Sequence, residues 1–151
     1  MRIDYRTTFT PARDAMVGLE RAVNSSPLEP ELLELIRLRA SQLNACGYCI
    51  DMHTKVAEAL QVSRQKLYLV SVWKEAPFYS GRERAALAWC DALTLLSQSD
   101  VTDDLYQGLS VHFNSEEIVA LTLAVVAING WNRFAIALRS PVGSYIHPAG
   151  K

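Results

Sequence analysis

Residues 34–53 of the chain, ELIRLRASQLNACGYCIDMH, contain two of its three cysteines and one of its three histidines. Apolar residues recur at helical spacing before the first cysteine, and Cys46, Cys49 and His53 then follow at positions i, i+3 and i+7. On a helix that turns about 100° per residue, Cys49 lies at about 300° and His53 at about 340° from Cys46, so the three side chains form one stripe. Apolar residues flank this Cys/His stripe and charged residues lie opposite it, which predicts that the stripe faces the protein interior.

The rest of the sequence also predicts helices, because it contains no convincing run of β-branched residues at period two. The predicted helices span residues 11–23, 30–43, 46–60, 64–72, 81–97, 103–111 and 116–138. Ser80 and Glu83 have the spacing of a capping box, and Ser63, Thr102 and Ser115 are candidate N-caps. Since no segment resembles a linker, the pattern predicts one all-α domain over residues 1–151.

Composition and charge exclude several classes of protein. The 15 basic and 16 acidic residues give a formal net charge of −1, and the basic residues do not cluster as a nucleic-acid-binding face requires. The N-terminus lacks the apolar core of a signal peptide, and the longest apolar run, residues 118–128, is too short to cross a bilayer. With an odd number of cysteines in a chain of this size, we expect a cytoplasmic protein without membrane association.

The last predicted helix, SEEIVALTLAVVAINGWNRFAIALRS, is apolar almost all round, so we expect several neighbours or a second subunit to bury it. Asn129, Asn132 and Arg133 share one face of this helix and need buried partners. A nearby pocket or a subunit contact would supply them. We therefore take Tyr48, Asn129, Trp131 and Asn132 as candidate pocket residues and expect a homo-oligomer.

Four interpretations of the Cys/His stripe compete. A core helix can carry these residues by chance, because free cysteine is often buried. A zinc site needs a fourth ligand, for which Cys90 and His112 are candidates, but no second paired motif is present. Covalent haem attachment needs a histidine where this chain has Ile50, and is excluded. The fourth interpretation, which we favour, is metal-free thiol redox chemistry at the C-x-x-C pair.

Redox chemistry of this kind needs a thiolate, yet an unperturbed cysteine has a pKa of about 8.5 and is mostly protonated at neutral pH. A helix N-terminus stabilises an anion by about 0.3–1 kcal/mol, less than the ~1.4 kcal/mol of one pKa unit, so a base close to the sulfur is required. His53 is placed to provide it. Position at the helix N-terminus favours Cys46 as the more acidic thiol, whereas proximity to His53 favours Cys49. Both cysteines are therefore candidates for the attacking thiolate.

The helix before the cysteines, the motif C-x-x-C-x-x-x-H and the late segment AINGWNRFAIAL together resemble the AhpD-like alkylhydroperoxidases of the carboxymuconolactone decarboxylase superfamily. The resemblance covers about residues 28–138. In that family an acidic residue twelve positions before the first cysteine, here Glu34, forms a proton relay with both cysteines and the histidine. The resemblance implies that Cys49 is the peroxidatic thiol, that Cys46 resolves its sulfenic acid as a disulfide, and that Glu34 and His53 move protons. Some members carry a second histidine where this chain has Tyr48, whose phenol is a poorer proton shuttle.

The same resemblance implies an AhpD-like bundle of about six to seven helices that assembles as a trimer or hexamer. It implies a small-molecule hydroperoxide substrate, no bound metal or cofactor, and a redox-active disulfide that an external dithiol such as dihydrolipoamide reduces. A peroxiredoxin or a lipoylated protein is the expected electron-transfer partner.

Alternatives stay open for the function and for the acidic residue. Lactone decarboxylation is the other chemistry of the superfamily, although it does not require a C-x-x-C pair. A non-enzymatic redox sensor, in which the disulfide changes the assembly of a helical oligomer, is a second alternative. Helical periodicity by itself places Glu34 on the solvated side of its helix, paired with Arg37, and only the family spacing indicates a catalytic role. If Glu34 is catalytic, another helix or subunit should cover that side.

Overall fold

The computed structural model describes residues 1–148 and contains no strand in that range. Eight α-helices and one 3₁₀ turn follow one another along these residues. The helices are α1 (Tyr5–Thr8), α2 (Thr10–Asn24), α3 (Pro30–Leu43), α4 (Gly47–Ala59), α5 (Arg64–Leu69), α6 (Gly81–Thr94), α7 (Asp103–Ser110) and α8 (Ser115–Ala137), and the 3₁₀ turn is Val70–Val72. The all-α prediction is confirmed, and the short α1 is the one helix that the sequence pattern missed.

Two long helices begin at capping boxes. The predicted box of α6 is present: the Ser80 side chain accepts from the Glu83 backbone N–H, and the Glu83 carboxylate accepts from the Ser80 N–H. The prediction of Ser115 as the cap of α8 is wrong by one residue, because Asn114 and Glu117 form the capping box there. These paired hydrogen bonds satisfy backbone donors that the first turn of a helix leaves open.

Helix α3 lies at the centre of the fold and packs against α4, α6 and α8. Its side chains Leu35, Ile36 and Leu38 are at most 1% exposed. Leu121 and Ile128 of α8 are fully buried in the same core. Because α3 and α8 supply the interior, they fix the position of α4, which carries the Cys/His stripe.

Helix α8 is long and apolar enough to cross a membrane by length and composition alone. Half of its most apolar window is buried within this chain, however, and it packs most extensively against α2, α3 and α6. Its Asn132 amide is fully buried as well. These contacts are those of a core helix. Val119 and Val126 stay exposed on α8, as does Leu96 just after α6.

The turn between α3 and α4 sets the position of the first cysteine. Ala45 adopts a left-handed conformation with φ of 55°, which lets the chain reverse direction within a few residues. The Cys46 N–H then donates to the Ser41 carbonyl at 2.9 Å, and Cys46 becomes the N-cap residue of α4. Cys46 therefore lies at the junction of the two helices.

Two amides of α8, the half-buried Asn129 and the buried Asn132, hold this turn. The Asn44 side-chain NH₂ donates to Asn129 Oδ1 at 3.0 Å and to Asn132 Oδ1 at 2.9 Å. The Asn132 NH₂ in turn donates to Ser41 Oγ at 3.1 Å. The amides that interrupt the apolar surface of α8 thus find partners within the chain, and they tie α8 to the turn next to Cys46.

Replacing Asn132 with alanine is expected to destabilise the fold by about 2 kcal/mol, because it removes two buried hydrogen bonds and leaves a cavity. Urea denaturation measures the loss. Ser115→Ala, at an exposed position in the first turn of the same helix, is the control and should change the free energy of unfolding by less than about 0.5 kcal/mol. A loss for Asn132→Ala no larger than that of the control would show that the amides do not hold the turn.

Candidate active site

Cys46 and Cys49 form a disulfide across the start of α4, with their Cα atoms 5.3 Å apart. Both residues are almost fully buried, at 1% and 2% exposure. Their surroundings differ, because Cys49 lines a cavity beside α4 and Cys46 does not. The structure therefore describes the oxidised pair and gives Cys49 the access to a small molecule.

The cavity has a volume of about 410 Å³ and lies between α1, α2, α4 and α8. Cavities of about 300–1,000 Å³ with mostly apolar walls are typical of small-molecule sites. Its lining residues are Tyr5, Arg6, Arg13, Val17, Glu20, Tyr48, Cys49, Met52, His53, Trp131 and Ala135. Of the candidate pocket residues, Tyr48 and Trp131 line it, whereas Asn129 and Asn132 do not and bind the α3–α4 turn instead.

His53 lies one turn after Cys49 on α4 and is 6% exposed. Its Nδ1 is 2.8 Å from Oε2 of Glu34. An ionised carboxylate only accepts hydrogen bonds, so Nδ1 carries the proton and, in the neutral ring, Nε2 keeps its lone pair. Nε2 is buried and has no hydrogen-bond partner within the part of the chain that the structure describes. The ring is thus oriented as a base in the cavity that Cys49 also lines.

Arg37 connects Glu34 to α2. Its Nη1 donates to Glu34 Oε1 and its Nη2 to Glu20 Oε2, both at 2.6 Å, and Nη2 also donates to Asn24 Oδ1 at 2.8 Å. The Glu34 carboxylate, 4% exposed, is therefore shared by a guanidinium and an imidazole. The solvated position that periodicity alone favours for Glu34 is wrong, because side chains of α2 cover that part of α3. The predicted pairing with Arg37 is present.

The charge state of Glu34 follows from these partners. Burial alone would raise the pKa of its carboxyl, but the hydrogen bond and charge of His53, followed by those of Arg37, outweigh burial and lower that pKa below its ordinary value. Glu34 is therefore ionised at neutral pH. An ionised Glu34 holds the proton on Nδ1 and stabilises the ring when Nε2 accepts a second proton. The structure thus places a hydrogen-bonded imidazole–carboxylate pair at the cavity that Cys49 also lines.

The other candidate ligands lie apart from this site. Cys90 is fully buried in the core, where its Sγ donates to the Ile36 carbonyl at 3.6 Å, and burial raises its thiol pKa to about 12. His112 lies against Gly81 at the start of α6. Within residues 1–148, no group of three or more His, Cys, Asp or Glu side chains is placed to hold a metal ion. Neither Cys90 nor His112 therefore supplies the fourth ligand that the zinc interpretation requires.

Sequence reasoning missed the residues of α1 and α2 at the cavity. Arg13, Val17 and Glu20 stand at positions i, i+4 and i+7, so the sequence does place them on one face of α2. That spacing does not indicate which helix the face meets. Arg6 lies on the short α1, which has no periodic apolar pattern, and helical spacing predicts Arg37 only as a surface partner of Glu34.

An all-helical bundle with a buried Cys, Cys, His and Glu site defines an AhpD-like protein. Residues 10–92 match the carboxymuconolactone decarboxylase family, and the chain belongs to that family. It is 35% identical over 143 residues to YdfG of Bacillus subtilis, an uncharacterised protein, with 95% of this chain and 97% of that protein covered. The expected family is thereby confirmed.

A solved structure supports the same assignment. The chain is similar to a protein of unknown function from Agrobacterium tumefaciens that is provisionally described as the antioxidant defence protein AhpD. The two share 43% sequence identity with a TM-score of 0.91, and the match covers 95% of this chain and 99% of the other. The fold is thus found in a second protein of similar length.

The fold also occurs in a debrominase. The apo crystal structure of the debrominase Bmp8 has 23% sequence identity to this chain and a TM-score of 0.78. The match covers 87% of this chain and 70% of the Bmp8 chain. At this identity the likeness shows the fold alone. The reaction of the present protein therefore depends on the residues of its own site.

Proposed function

We propose that the protein is a thiol-dependent peroxidase that reduces organic hydroperoxides with its C-x-x-C pair. The Cys49 thiolate attacks the distal peroxide oxygen, the O–O bond breaks, and the alkoxide leaves as an alcohol with a proton from His53. Cys49 thereby becomes a sulfenic acid. The Cys46 thiol attacks that sulfur, which forms the disulfide and releases water. The peroxide gains two electrons and the two thiols lose them.

The observation that carries this proposal is the orientation of His53 by Glu34. The carboxylate holds the Nδ1 proton across 2.8 Å, which leaves Nε2 as the acceptor in a ring that lines the cavity together with Cys49. A base beside the thiol supplies the stabilisation that a helix N-terminus alone cannot, since one pKa unit requires ~1.4 kcal/mol. The access of Cys49, rather than Cys46, to the cavity supports the roles that the family resemblance implies.

Tyr48 occupies the place where some relatives carry a second histidine, and it lines the cavity. Its phenol can donate a hydrogen bond to a bound peroxide, whereas the imidazole of His53 has a ring nitrogen, Nε2, that can accept a proton. We therefore assign proton transfer to His53 and Glu34, and substrate binding to Tyr48 and Trp131.

Turnover requires a second substrate that reduces the Cys46–Cys49 disulfide. A dithiol donates both electrons and becomes a disulfide itself, so dihydrolipoamide, free or on a lipoylated protein, fits the chemistry. A peroxiredoxin is a further candidate for electron transfer. We place the protein in the cytoplasm, where reduced thiols are maintained. The proposed mechanism uses neither a metal nor a bound organic cofactor.

Reduction of a hydroperoxide is tested by counting thiols. The reduced chain contains three cysteines, and one equivalent of cumene hydroperoxide should leave one free thiol, that of Cys90. Labelling is done after unfolding, because burial and its raised pKa protect Cys90 in the folded protein. The control is a Cys46→Ser/Cys49→Ser double variant, whose single thiol should persist. Three thiols remaining in the parent protein would contradict the proposal.

Decarboxylation of a carboxymuconolactone is the alternative reaction of the family. It requires no thiol, so the same double variant distinguishes the two reactions. Turnover of the lactone by that variant, together with no consumption of peroxide by the parent, would replace the peroxidase proposal.

We also propose that the chain forms a homo-oligomer, either a trimer or a hexamer. Val119, Val126 and Leu96 are exposed apolar side chains that a second copy would cover. Size-exclusion chromatography with light scattering measures the assembly in the reduced and oxidised states. One mass in both states is expected for a catalyst. A mass that changes with the disulfide would favour the redox sensor, and a monomer in both states would contradict the oligomer.

A further inference from the structure

The cavity beside Cys49 combines apolar walls with two guanidinium groups. Val17, Met52 and Trp131 contribute apolar and aromatic surface. Arg6 from α1 and Arg13 from α2 line the same cavity. A ligand that fills this space therefore meets both an apolar surface and positive charge.

The two arginines are neighbours and keep hydrogen-bond donors available. Arg13 Nη1 donates to the backbone carbonyl of Arg6 at 3.1 Å, which brings the residues together. Nε and Nη2 of Arg13 also donate to Asp14 Oδ1, at 2.8 and 2.6 Å, but Asp14 is 62% exposed and such a surface pair is weak. Nε of Arg6 is 3.9 Å from Asp4, too far for a hydrogen bond. Because a guanidinium has five N–H donors, both groups are able to bind an anion.

The acidic groups at the cavity do not neutralise these charges. Glu20 lines the cavity, but its carboxylate is held by Arg37 at 2.6 Å. Glu34 lies deeper and is bound between Arg37 and His53. The interior acids are held by Arg37 and His53, and the acids beside Arg6 and Arg13 are Asp4 and Asp14 at the surface, which a bound anion can replace. The two cavity arginines therefore offer charged donors to an entering anion.

We infer that the preferred substrate is an amphipathic organic hydroperoxide with an anionic group, such as a hydroperoxy fatty acid. Its apolar part fills the cavity and its carboxylate binds Arg6 and Arg13. This inference rests on the proposed peroxidase function and names the substrate class of the same site. The carboxylate takes no part in electron transfer: Cys49 bonds to the distal peroxide oxygen, the O–O bond breaks, and a hydroxy fatty acid leaves with a proton from His53.

The test compares a hydroperoxy fatty acid with its methyl ester, which lacks the charge, both below the concentration at which they aggregate. With a dithiol reductant, kcat/KM should favour the acid by about tenfold at low salt, and the ratio should fall as ionic strength rises. The Arg6→Gln/Arg13→Gln variant should bring the ratio close to one, and Arg6→Glu/Arg13→Glu should reverse it. Arg21→Gln, on an exposed part of α2 outside the cavity, should keep the ratio of the parent.

A binding measurement gives a second readout that does not depend on turnover. The oxidised protein has no thiol at the cavity, so it can be titrated with the unreactive parent fatty acid while the change in tryptophan fluorescence is followed, since Trp131 lines the cavity. Binding should weaken about tenfold in the Arg6→Gln/Arg13→Gln variant and stay unchanged in Arg21→Gln.

The outcomes separate the inference from the function on which it rests. Equal turnover of acid and ester by the parent would overturn the substrate class while leaving the peroxidase proposal intact. A preference for the acid that survives in the Arg6→Gln/Arg13→Gln variant would also overturn it, because other groups would then bind the anion. Turnover of neither compound, nor of cumene hydroperoxide, would overturn both.

Discussion

Replacing Cys49 with serine is expected to lower hydroperoxide turnover at least about a thousandfold, to the uncatalysed rate. A serine hydroxyl stays protonated at neutral pH and forms no sulfenic acid, so neither chemical step remains. The change is nearly isosteric at a site with 2% exposure, so the fold should persist. Peroxide consumption in the presence of a dithiol measures the rate, and circular dichroism checks the helix content.

Two other cysteine variants test whether the loss of turnover is specific to Cys49. Cys90→Ser changes a buried thiol outside the cavity and should keep the turnover of the parent. Cys46→Ser should keep the first oxidation but stop before the disulfide, so in the absence of a dithiol, which would itself reduce the sulfenic acid, it consumes about one equivalent of peroxide and leaves Cys49 as a sulfenic acid. Turnover above background in Cys49→Ser, or no first oxidation in Cys46→Ser, would show that Cys49 is not the peroxidatic thiol.

Replacing Glu34 with glutamine is expected to slow the oxidation of Cys49 by about a hundredfold. The amide keeps the size of the side chain but loses its charge. It can also rotate to donate to Nδ1 of His53, which would leave Nε2 protonated and unable to accept the thiol proton. Stopped-flow mixing of reduced protein with hydroperoxide measures this step separately from the later reduction of the disulfide.

Glu20→Gln is the matched control for the proposed proton transfer through Glu34 and His53. Glu20 shares Arg37 with Glu34, but its carboxylate binds the guanidinium rather than His53. We expect a smaller loss of rate than in Glu34→Gln. Equal losses in the two variants would show that the acid acts through the local charge at Arg37 and not through the imidazole.

Glu34→Gln should also change how stability depends on pH. Because the pKa of Glu34 is lowered in the folded protein, its ionised form stabilises the fold at neutral pH, and this contribution is lost as the pH falls below about 4.5 towards the folded pKa. Urea denaturation should show the parent more stable than the variant by about 1–3 kcal/mol at neutral pH, with a smaller difference in acid. A difference that stays constant across this range would contradict an ionised Glu34.

Helical periodicity was sufficient to orient α4, because its two faces differ clearly in polarity. Cys49 and His53 are buried as predicted, whereas Glu58 on the other face is exposed. The same reasoning failed on α3. Glu34 and Arg37 have the spacing of a solvated ion pair, but their mutual neutralisation and the cover from α2 allow both to be buried. Burial that depends on such pairing cannot be inferred from the polarity of single residues.

The cavity and the amides of α8 depend on contacts between distant segments. The sequence indicates that Asn132 needs a buried partner, but only the packing of α8 on α3 makes that partner Asn44, 88 positions earlier. Arg6 and Arg13 likewise meet Cys49 because α1 and α2 close one side of α4. No local pattern encodes these distances, so the Cys/His stripe was predictable from the sequence, whereas the cavity was predicted only at Tyr48 and Trp131.

Mass spectrometry of the Cys46→Ser variant, after one equivalent of cumene hydroperoxide and a sulfenic-acid trap, tests the peroxidase mechanism most directly. The variant cannot form the Cys46–Cys49 disulfide, so the first oxidation product should accumulate. We expect the trapped sulfenic acid on Cys49 and none on Cys90, whose buried thiol has a pKa raised to about 12. An unmodified Cys49 with the hydroperoxide left unconsumed would contradict the mechanism.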